Sequence, residues 1–196
     1  TQIDAKGYYP GNDKLDWYGG LPAEVDSPLF ELIQTPTSNG IIVVEAAGNG
    51  GWDLVAFVPF AAPHWTKDSG AIMVASVDAP PGRSGYSRRA SSNYGSRINC
   101  FAWGDQIYTP YDLSGPQQYV AGFADTSGAS AIIAGAALSV QGYAKANLNR
   151  TLSPAEMRMV LSDPSTGTLS ANATMANPNA DSIGVMPDLR KIIGNL

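Results

Sequence analysis

The chain contains 196 residues, with 12 Lys+Arg against 17 Asp+Glu, a formal net charge of -5 and only 15% charged residues. No apolar run approaches the roughly 18 residues that a membrane-spanning helix needs, and the absence of any Lys/Arg cluster argues against a nucleic-acid binder, because phosphate contacts need a basic patch. One cysteine and one histidine exclude a disulfide framework and most metal sites built from these residues. We expect one domain, or one large piece of a domain, over residues 1–196.

The N-terminal forty residues predict an edge strand, a loop and a helix. Residues 1–22 begin with a short apolar–polar alternation and continue with Gly, Tyr, Asp and Pro. They have neither the basic start nor the apolar stretch of a signal peptide, so we expect the chain to be cut from a longer precursor. Pro22 opens a helix that should end before Pro36, with a turn at Gly40. The predicted apolar face of this helix consists of Leu29, Phe30, Leu32 and Ile33.

Two apolar runs predict buried strands of a parallel sheet. Residues 41–44 are four consecutive β-branched residues, and residues 71–77 form a second apolar run. The first run leads directly into a loop of small residues over positions 45–51. Ligands of open α/β sheets bind at the carboxyl ends of the strands, so this loop is a candidate binding site. The pattern indicates the α/β fold class.

Shorter strands are predicted in the middle of the chain. Residues 98–103 favour a short strand, in which Cys100 is a buried small hydrophobe. Residues 107–109 and 118–120 have the composition of hairpin strands.

The second half of the chain predicts helices. Residues 128–140 are small or apolar on every side, which predicts a helix that is buried all round. Ser153 and Glu156 are spaced as a capping box at the start of another helix. Residues 163–188 are rich in loop formers, and residues 189–196 predict a short terminal helix.

Two segments carry candidate catalytic residues. Ser127 lies at the start of the small-residue helix, where unpaired N–H groups and the positive end of the helix dipole can stabilise a developing oxyanion. The alternative is that Thr126 or Ser127 is simply the N-cap, since Ser and Thr are favoured there. Asn49 lies in the Gly-Asn-Gly-Gly run after the first buried strand. Its amide could donate to an oxyanion, or the run could form a plain Asn-Gly turn.

The order of these motifs resembles the subtilisin-like serine protease (subtilase) family over essentially the whole chain. Residues 43–49 look like the family's strand and oxyanion loop, and residues 68–75 look like its next strand. Residues 92–95, Ser-Asn-Tyr-Gly, are similar to the family's Phe-Ser-x-x-Gly segment. Residues 126–130, Thr-Ser-Gly-Ala-Ser, look like the start of its nucleophile helix. The resemblance implies the C-terminal part of a three-layer subtilisin-like fold with a parallel sheet.

The resemblance implies a role for each matched position. Ser127 would be the nucleophile, and Asn49 would be the side-chain oxyanion donor together with the Ser127 backbone N–H. One wall of the primary specificity pocket would be formed by Ala46, Ala47 and Gly48. The substrate would be a protein or peptide, paired by strand addition with the edge strand that contains Asp4, Ala5 and Lys6. No cofactor is required for this chemistry.

The chain also departs from the family pattern. Subtilases carry their catalytic Asp and His before the oxyanion asparagine, whereas the single histidine here, His64, follows Asn49. Asp125 stands where the family has Gly, and Ala131 where it has Pro. In one interpretation the chain is a serine endopeptidase chain that receives Asp and His from a second polypeptide with the N-terminal half. Such a partner, or a homodimer, would also cover apolar surface that residues 41–44 and the helix at 128–140 would otherwise expose. In the other it is an inactive protease-like protein that binds a peptide or glycan.

Weaker signals concern localisation and metal. Asn149 and Asn172 head glycosylation acceptor triplets, which fits a secreted, extracellular protein. Asp13 and Asp53 lie in polar spots that could bind calcium, as many subtilases do, although no ligand spacing is diagnostic. Calcium is thus a possible metal ligand, and no cofactor is required. The composition and charge lead us to expect no nucleic-acid or membrane partner.

Overall fold

The computed structural model describes residues 20–55, 68–79, 86–110, 119–171 and 181–196. The edge strand predicted near the N-terminus, with Asp4, Ala5 and Lys6, lies outside the described residues, as does His64. After a 3-10 turn at Ala23–Val25, the elements are α1 (Ser27–Ser38), β1 (Val44–Ala46), β2 (Ile72–Val77), β3 (Cys100–Trp103), β4 (Ile107–Pro110), β5 (Tyr119–Phe123), α2 (Asp125–Asn147), α3 (Pro154–Ser162), β6 (Thr168–Leu169), β7 (Val185–Met186) and α4 (Leu189–Asn195).

The main sheet has five strands in the order β1-β2-β3-β7-β6. β1, β2, β3 and β7 are parallel, and β6 runs antiparallel to β7. In this register Val44 pairs with Ile72, and Val74 pairs with Cys100. The carboxyl ends of β1, β2 and β3 therefore lie at the same edge of the sheet. The predicted α/β class with a parallel sheet is confirmed.

Alternate residues of the central strand β2 enter two separate cores, as the two-residue period of a strand requires. Ile72 and Val74 pack with Ile133 and Val140 of α2 and with Met157 of α3. The opposite face carries a second core that is covered by loop segments; it is formed by Leu21, Ala47, Leu54, Met73, Ala75, Val77, Ile98, Phe101 and Ile183. Because both faces are covered, every residue of β2 is buried.

The first helix differs from the prediction at both ends. α1 begins at Ser27 rather than at Pro22, because the Asp26 side chain caps it by accepting a hydrogen bond from the Leu29 N–H. It continues through Pro36 to Ser38, since Thr37 is buried and its hydroxyl donates to the carbonyls of Ile33 and Ser69, which fixes the last turn. Of the four residues of the predicted apolar face, only Phe30 is buried.

Two segments predicted to be fully buried have an exposed side. The run at 41–44 forms a strand only from Val44 onward, and Ile41 is 58% exposed because no described strand covers the outer edge of β1. α2 buries one face against the sheet but leaves Leu138 75% and Ile132 39% exposed. The prediction that this helix is buried all round is wrong for the described part of the chain, since no described segment packs on its outer face.

The remaining predicted elements are confirmed. β4 and β5 form the expected antiparallel hairpin, and α4 is the short terminal helix. Ser153 and Glu156 form the capping box of α3 in both directions. Cys100 is fully buried, which raises the pKa of its thiol to about 12. The sequence does not predict the strands β6 and β7; each has two residues, too few for a recognisable pattern. No helix in the described part of the chain is long and apolar enough to cross a membrane.

Candidate active site

The loop that carries Asn49 begins where β1 ends. The Ala47 N–H donates to the Val74 carbonyl at 2.9 Å, which continues the pairing with β2 one residue beyond the strand. The chain then turns at Gly48, whose φ of 90° is in the region that favours glycine. This turn lifts Asn49 out of the sheet at the carboxyl edge, where ligands of parallel sheets bind.

The start of α2 is held at the same edge. The Asp125 N–H donates to the carbonyl of Gly104, the residue that follows β3, at 2.6 Å. Ala124 is the N-cap and offers no side-chain hydrogen bond, so neither Thr126 nor Ser127 is the cap. Both instead lie in the first turn of the helix, where backbone N–H groups have no intrahelical partner. Their polar side chains are thereby available for other contacts.

Thr126 connects these two segments. Its backbone N–H and its hydroxyl both donate to Oδ1 of Asn49, at 3.2 and 2.7 Å. A backbone N–H can only donate, so the atom of Asn49 that faces Thr126 must be the amide oxygen. The Asn49 Nδ2 group is thereby directed away from Thr126, and no described residue accepts a hydrogen bond from it. The run at 48–51 is thus more than a plain turn, because its Asn side chain is fixed across 77 positions of sequence.

Ser127 lies next to this contact. It is half-buried, its carbonyl accepts a hydrogen bond from the Ser130 hydroxyl at 2.9 Å, and its own hydroxyl makes no hydrogen bond to a described residue. The positive end of the α2 dipole is at this position, on a helix of 23 residues. The structure therefore brings the Ser127 hydroxyl and the Asn49 Nδ2 group to the N-terminus of α2, and neither of them is hydrogen-bonded to a described residue.

The residues of the predicted pocket wall, Ala46, Ala47 and Gly48, are held against the sheet. Ala46 and Ala47 are buried, and Ala47 packs in the second core with Met73 and Ala75. Gly48 is also buried. A Cβ atom at Gly48 would collide with the Gly20 carbonyl oxygen, so no larger residue fits there.

Asp125 has an unusual backbone and an occupied side chain. Its φ is 63°, the left-handed region that Asp tolerates better than most residues. Its carboxylate accepts hydrogen bonds from the Ser91 hydroxyl at 2.8 Å and from Arg89 Nε at 3.3 Å. Arg89 also pairs with Asp78 and Asp105, which follow β2 and β3. The charge of Asp125 is therefore met by Arg89; the sequence motifs indicate neither Arg89 nor Ser91 as part of the site.

Two acidic side chains, Glu45 of β1 and Glu24 of the 3-10 turn, lie close together. Glu45 is buried, and its Oε1 accepts the Glu24 N–H at 2.8 Å, while its Oε2 has no hydrogen-bond partner among the described residues. Burial, reinforced by the charge of Glu24, raises the pKa of Glu45 to about 7. Glu24 itself is paired with Arg97 through both carboxylate oxygens. Within the described ranges no three His, Cys, Asp or Glu residues are grouped as metal ligands.

Comparison with known proteins identifies related sequences. A profile described as the Subtilase family matches residues 14–182. The alkaline extracellular protease of Yarrowia lipolytica is 30% identical over 166 residues, which cover 85% of this chain and 34% of that protein. Subtilisin-like protease 1 of Pseudogymnoascus destructans is 33% identical over 87 residues, which cover 44% of this chain and 19% of that protein. The chain thus spans about a third or less of these curated relatives.

Solved structures agree with the sequence comparison. A protease from Pseudoalteromonas arctica is 26% identical with a TM-score of 0.58, and the match covers 90% of this chain and 49% of that one. The patellamide maturation protease PatA has a TM-score of 0.63 at 21% identity, covering 90% of this chain and 60% of its own, which supports the fold alone. The fold predicted from the motifs is confirmed by these neighbours.

Proposed function

This chain belongs to the subtilase family. We propose that it is the nucleophile-bearing part of a subtilisin-like serine endopeptidase. Ser127 attacks the peptide carbonyl, and the Asn49 Nδ2 group and the Ser127 backbone N–H stabilise the resulting oxyanion. The observation that carries the proposal is the double hydrogen bond from Thr126 to Asn49 Oδ1, at 3.2 and 2.7 Å. It leaves the amide N–H groups free beside the first turn of α2, where an oxyanion donor is needed.

The reaction needs a base that the described residues do not supply. When Ser127 Oγ bonds to the carbonyl carbon, its proton passes to a histidine that an aspartate orients. The C–N bond then breaks, the leaving nitrogen takes that proton, and water hydrolyses the acyl ester to restore the serine. The only histidine, His64, follows Asn49 in sequence, unlike the catalytic histidine of the family. We infer that the Asp and His are supplied from outside residues 1–196, by a polypeptide segment that carries the N-terminal half of the domain.

Exposed apolar surface supports such a partner. Ile41, beside the edge of β1 that no described strand covers, is 58% exposed, and Leu138 on the outer face of α2 is 75% exposed. Both would be covered if further strands or helices packed beside β1 and α2, and large exposed apolar patches typically mark interaction surfaces. The matched share of the Yarrowia relative, 34%, leaves ample sequence in such proteins for the missing segments.

The substrate in this proposal is an extended protein or peptide. Ala46, Ala47 and Gly48 line one wall of its primary pocket, and the segment with Asp4, Ala5 and Lys6, which the sequence predicts to be an edge strand, is our candidate for pairing with its backbone. The protein is secreted, in keeping with the extracellular protease of Yarrowia to which it is similar. The proposed chemistry requires no cofactor.

A second candidate function rests on the departures from the family pattern. Asp125 replaces the family's Gly directly before Thr126, and its carboxylate is 37% exposed and beside the proposed oxyanion site in sequence. Ala131 replaces the family's Pro in the same helix. In this alternative the cleft is kept for binding a peptide or glycan, and the hydrolytic chemistry is lost.

Covalent labelling separates the two functions. The native material is treated with a fluorophosphonate probe, and intact masses of all polypeptides are recorded, with Ser127→Ala as the control. We expect one probe adduct on Ser127 in the native protein, none in the variant, and a polypeptide segment outside residues 1–196 that carries the Asp and His. Absence of an adduct in the assembled protein would refute the protease proposal and leave the binding function.

A further inference from the structure

The side chain of Asn93 is the most fully hydrogen-bonded polar group beside the proposed site. It is 0% exposed. Its Nδ2 donates to the carbonyls of Gly20 and Ala47, both at 2.7 Å. Its Oδ1 accepts from the N–H groups of Gly50 and Trp52, at 3.1 and 2.9 Å. Both N–H donors and both lone pairs of the amide are therefore used, and every partner is backbone.

These partners surround Asn49. Ala47 precedes it by two residues, and Gly50 and Trp52 follow it by one and three. The Asn93 backbone N–H adds a fifth hydrogen bond, to the Gly48 carbonyl at 3.1 Å. The loop is thus held on both sides of Asn49 by a single residue from a segment about forty positions away.

The loop approaches Asn93 too closely for other side chains to replace its glycines. A Cβ atom on Gly48 would be 2.8 Å from Asn93 Nδ2, and one on Gly50 would be 3.2 Å from Asn93 Oδ1. Gly20 is equally confined, because a Cβ there would be 2.6 Å from the Gly50 nitrogen. Three glycines therefore permit two backbone segments, the one at Gly20 and the loop at residues 47–52, to converge on one amide.

We propose that Asn93 is a positioning residue for catalysis, which fixes the backbone of Asn49 while Thr126 fixes its side chain. The inference rests on the proposed function, because it assigns Asn93 an effect only through the oxyanion donor. Asn93 fixes the backbone on both sides of Asn49, and Thr126 holds Asn49 Oδ1 at 2.7 Å, so that the position of Nδ2 is constrained through the backbone and through the side chain. Oxyanion stabilisation depends on donors that are already in place before the reaction.

A double-mutant cycle tests this inference in the assembled protein, with an amide substrate. We expect Asn93→Ala to lower kcat by about 10- to 100-fold, the range for a displacement near 1 Å, and to change KM by less than about threefold. Removing an oxyanion donor costs about 10²–10³ in kcat, a range that comes from subtilisin itself. In an Asn49→Ala background, Asn93→Ala should lower kcat by less than about twofold, since the group it positions is gone.

Two further variants control for folding. Asn99→Ala removes an amide that accepts from the Met73 N–H at the opposite end of β2, and it should leave kcat within about twofold. Asn93→Asp keeps the shape and both accepted hydrogen bonds but loses the donors. A buried carboxyl group has a raised pKa, and its protonated form donates one hydrogen bond again. The activity of Asn93→Asp relative to the native protein should therefore recover as the pH falls from about 8 to about 6.

Each outcome has one meaning. Equal losses from Asn93→Ala with and without Asn49 would overturn the positioning role while leaving the protease proposal intact. If Asn93→Ala does not fold, a flat pH profile for Asn93→Asp would overturn it in the same way. A native assembly that neither labels at Ser127 nor hydrolyses the substrate would overturn both proposals together.

Discussion

Replacing Glu45 by Gln tests whether this buried acid makes the stability of the protein depend on pH. The pKa of Glu45 is raised from 4.5 to about 7 in the folded chain, so the native state binds its proton more tightly than the unfolded state. Below pH 4.5 the side chain is neutral in both states and has no penalty. Between about pH 4.5 and 7 the unfolded chain ionises first, and the folded state loses stability. Above pH 7 the full penalty applies.

The magnitude follows from the two pKa values. Each factor of ten in proton affinity corresponds to about 1.4 kcal/mol, so the penalty above pH 7 amounts to about 3 kcal/mol. Gln has the shape of the neutral acid, and its Oε1 can still accept the Glu24 N–H that Glu45 accepts at 2.8 Å. We expect Glu45→Gln to match the native protein in unfolding free energy near pH 4.5 and to exceed it by up to about 3 kcal/mol at pH 8.

Urea unfolding between pH 4.5 and 8 measures this difference, provided that the slope against urea is the same for both proteins. Glu156→Gln is the matched control. Hydrogen bonds from Ser153 and then from Arg150 lower the pKa of Glu156 to about 2. Its contribution is present above about pH 4.5 and is lost only as the pH falls towards 2, so its difference curve should be flat from pH 5 to 8. An equally flat difference curve for Glu45→Gln would show that ionisation of Glu45 does not make the unfolding free energy depend on pH.

Three further substitutions test the packing, the helix cap and the unusual start of α2. Met157→Ala should cost about 2–5 kcal/mol in unfolding free energy because Met157 is fully buried, whereas Met159→Ala, at a side chain 67% exposed, should cost less than about 0.5 kcal/mol. Ser153→Ala removes the acceptor for the Glu156 N–H and should cost about 1 kcal/mol in the same urea assay. In Asp125→Gly the new glycine adopts the φ of 63° without strain, and Arg89 keeps its ion pair with Asp78. The unfolding free energy should therefore change by less than about 1 kcal/mol, and fluorophosphonate labelling of Ser127 should persist. A loss above about 2 kcal/mol in Asp125→Gly would contradict this view of the Arg89 contact.

Features governed by local rules could be predicted from the sequence. The capping box at Ser153 depends on residues three positions apart, and it has the expected hydrogen bonds. The run of β2, which is apolar except for Ser76, is buried on both faces, as continuous apolar runs in parallel sheets are. The order of the Asn49 and Ser127 motifs along the chain is by itself enough to indicate the family, because the spacing of the two motifs is far more specific than either motif alone.

Features that depend on distant neighbours could not be predicted. The exposed side of Leu138 follows from the lack of a described segment over α2, and the composition of the helix carries no sign of it. Asn93 is one polar residue in a polar stretch, and only the folded chain brings it against the loop at Asn49. The predicted end of α1 is wrong because Thr37 forms a tertiary hydrogen bond with Ser69 that compensates for Pro36.

The central claim is that Ser127 is an activated nucleophile beside the Asn49 amide. The most direct measurement is the rate of fluorophosphonate labelling of Ser127 in the native assembly, compared with that of Asn49→Ala and of denatured protein. We expect a single adduct on Ser127 of the native assembly, formed more slowly in Asn49→Ala and not at all after denaturation. Native protein that remains unlabelled, like the denatured chain, would contradict the claim that Ser127 is activated.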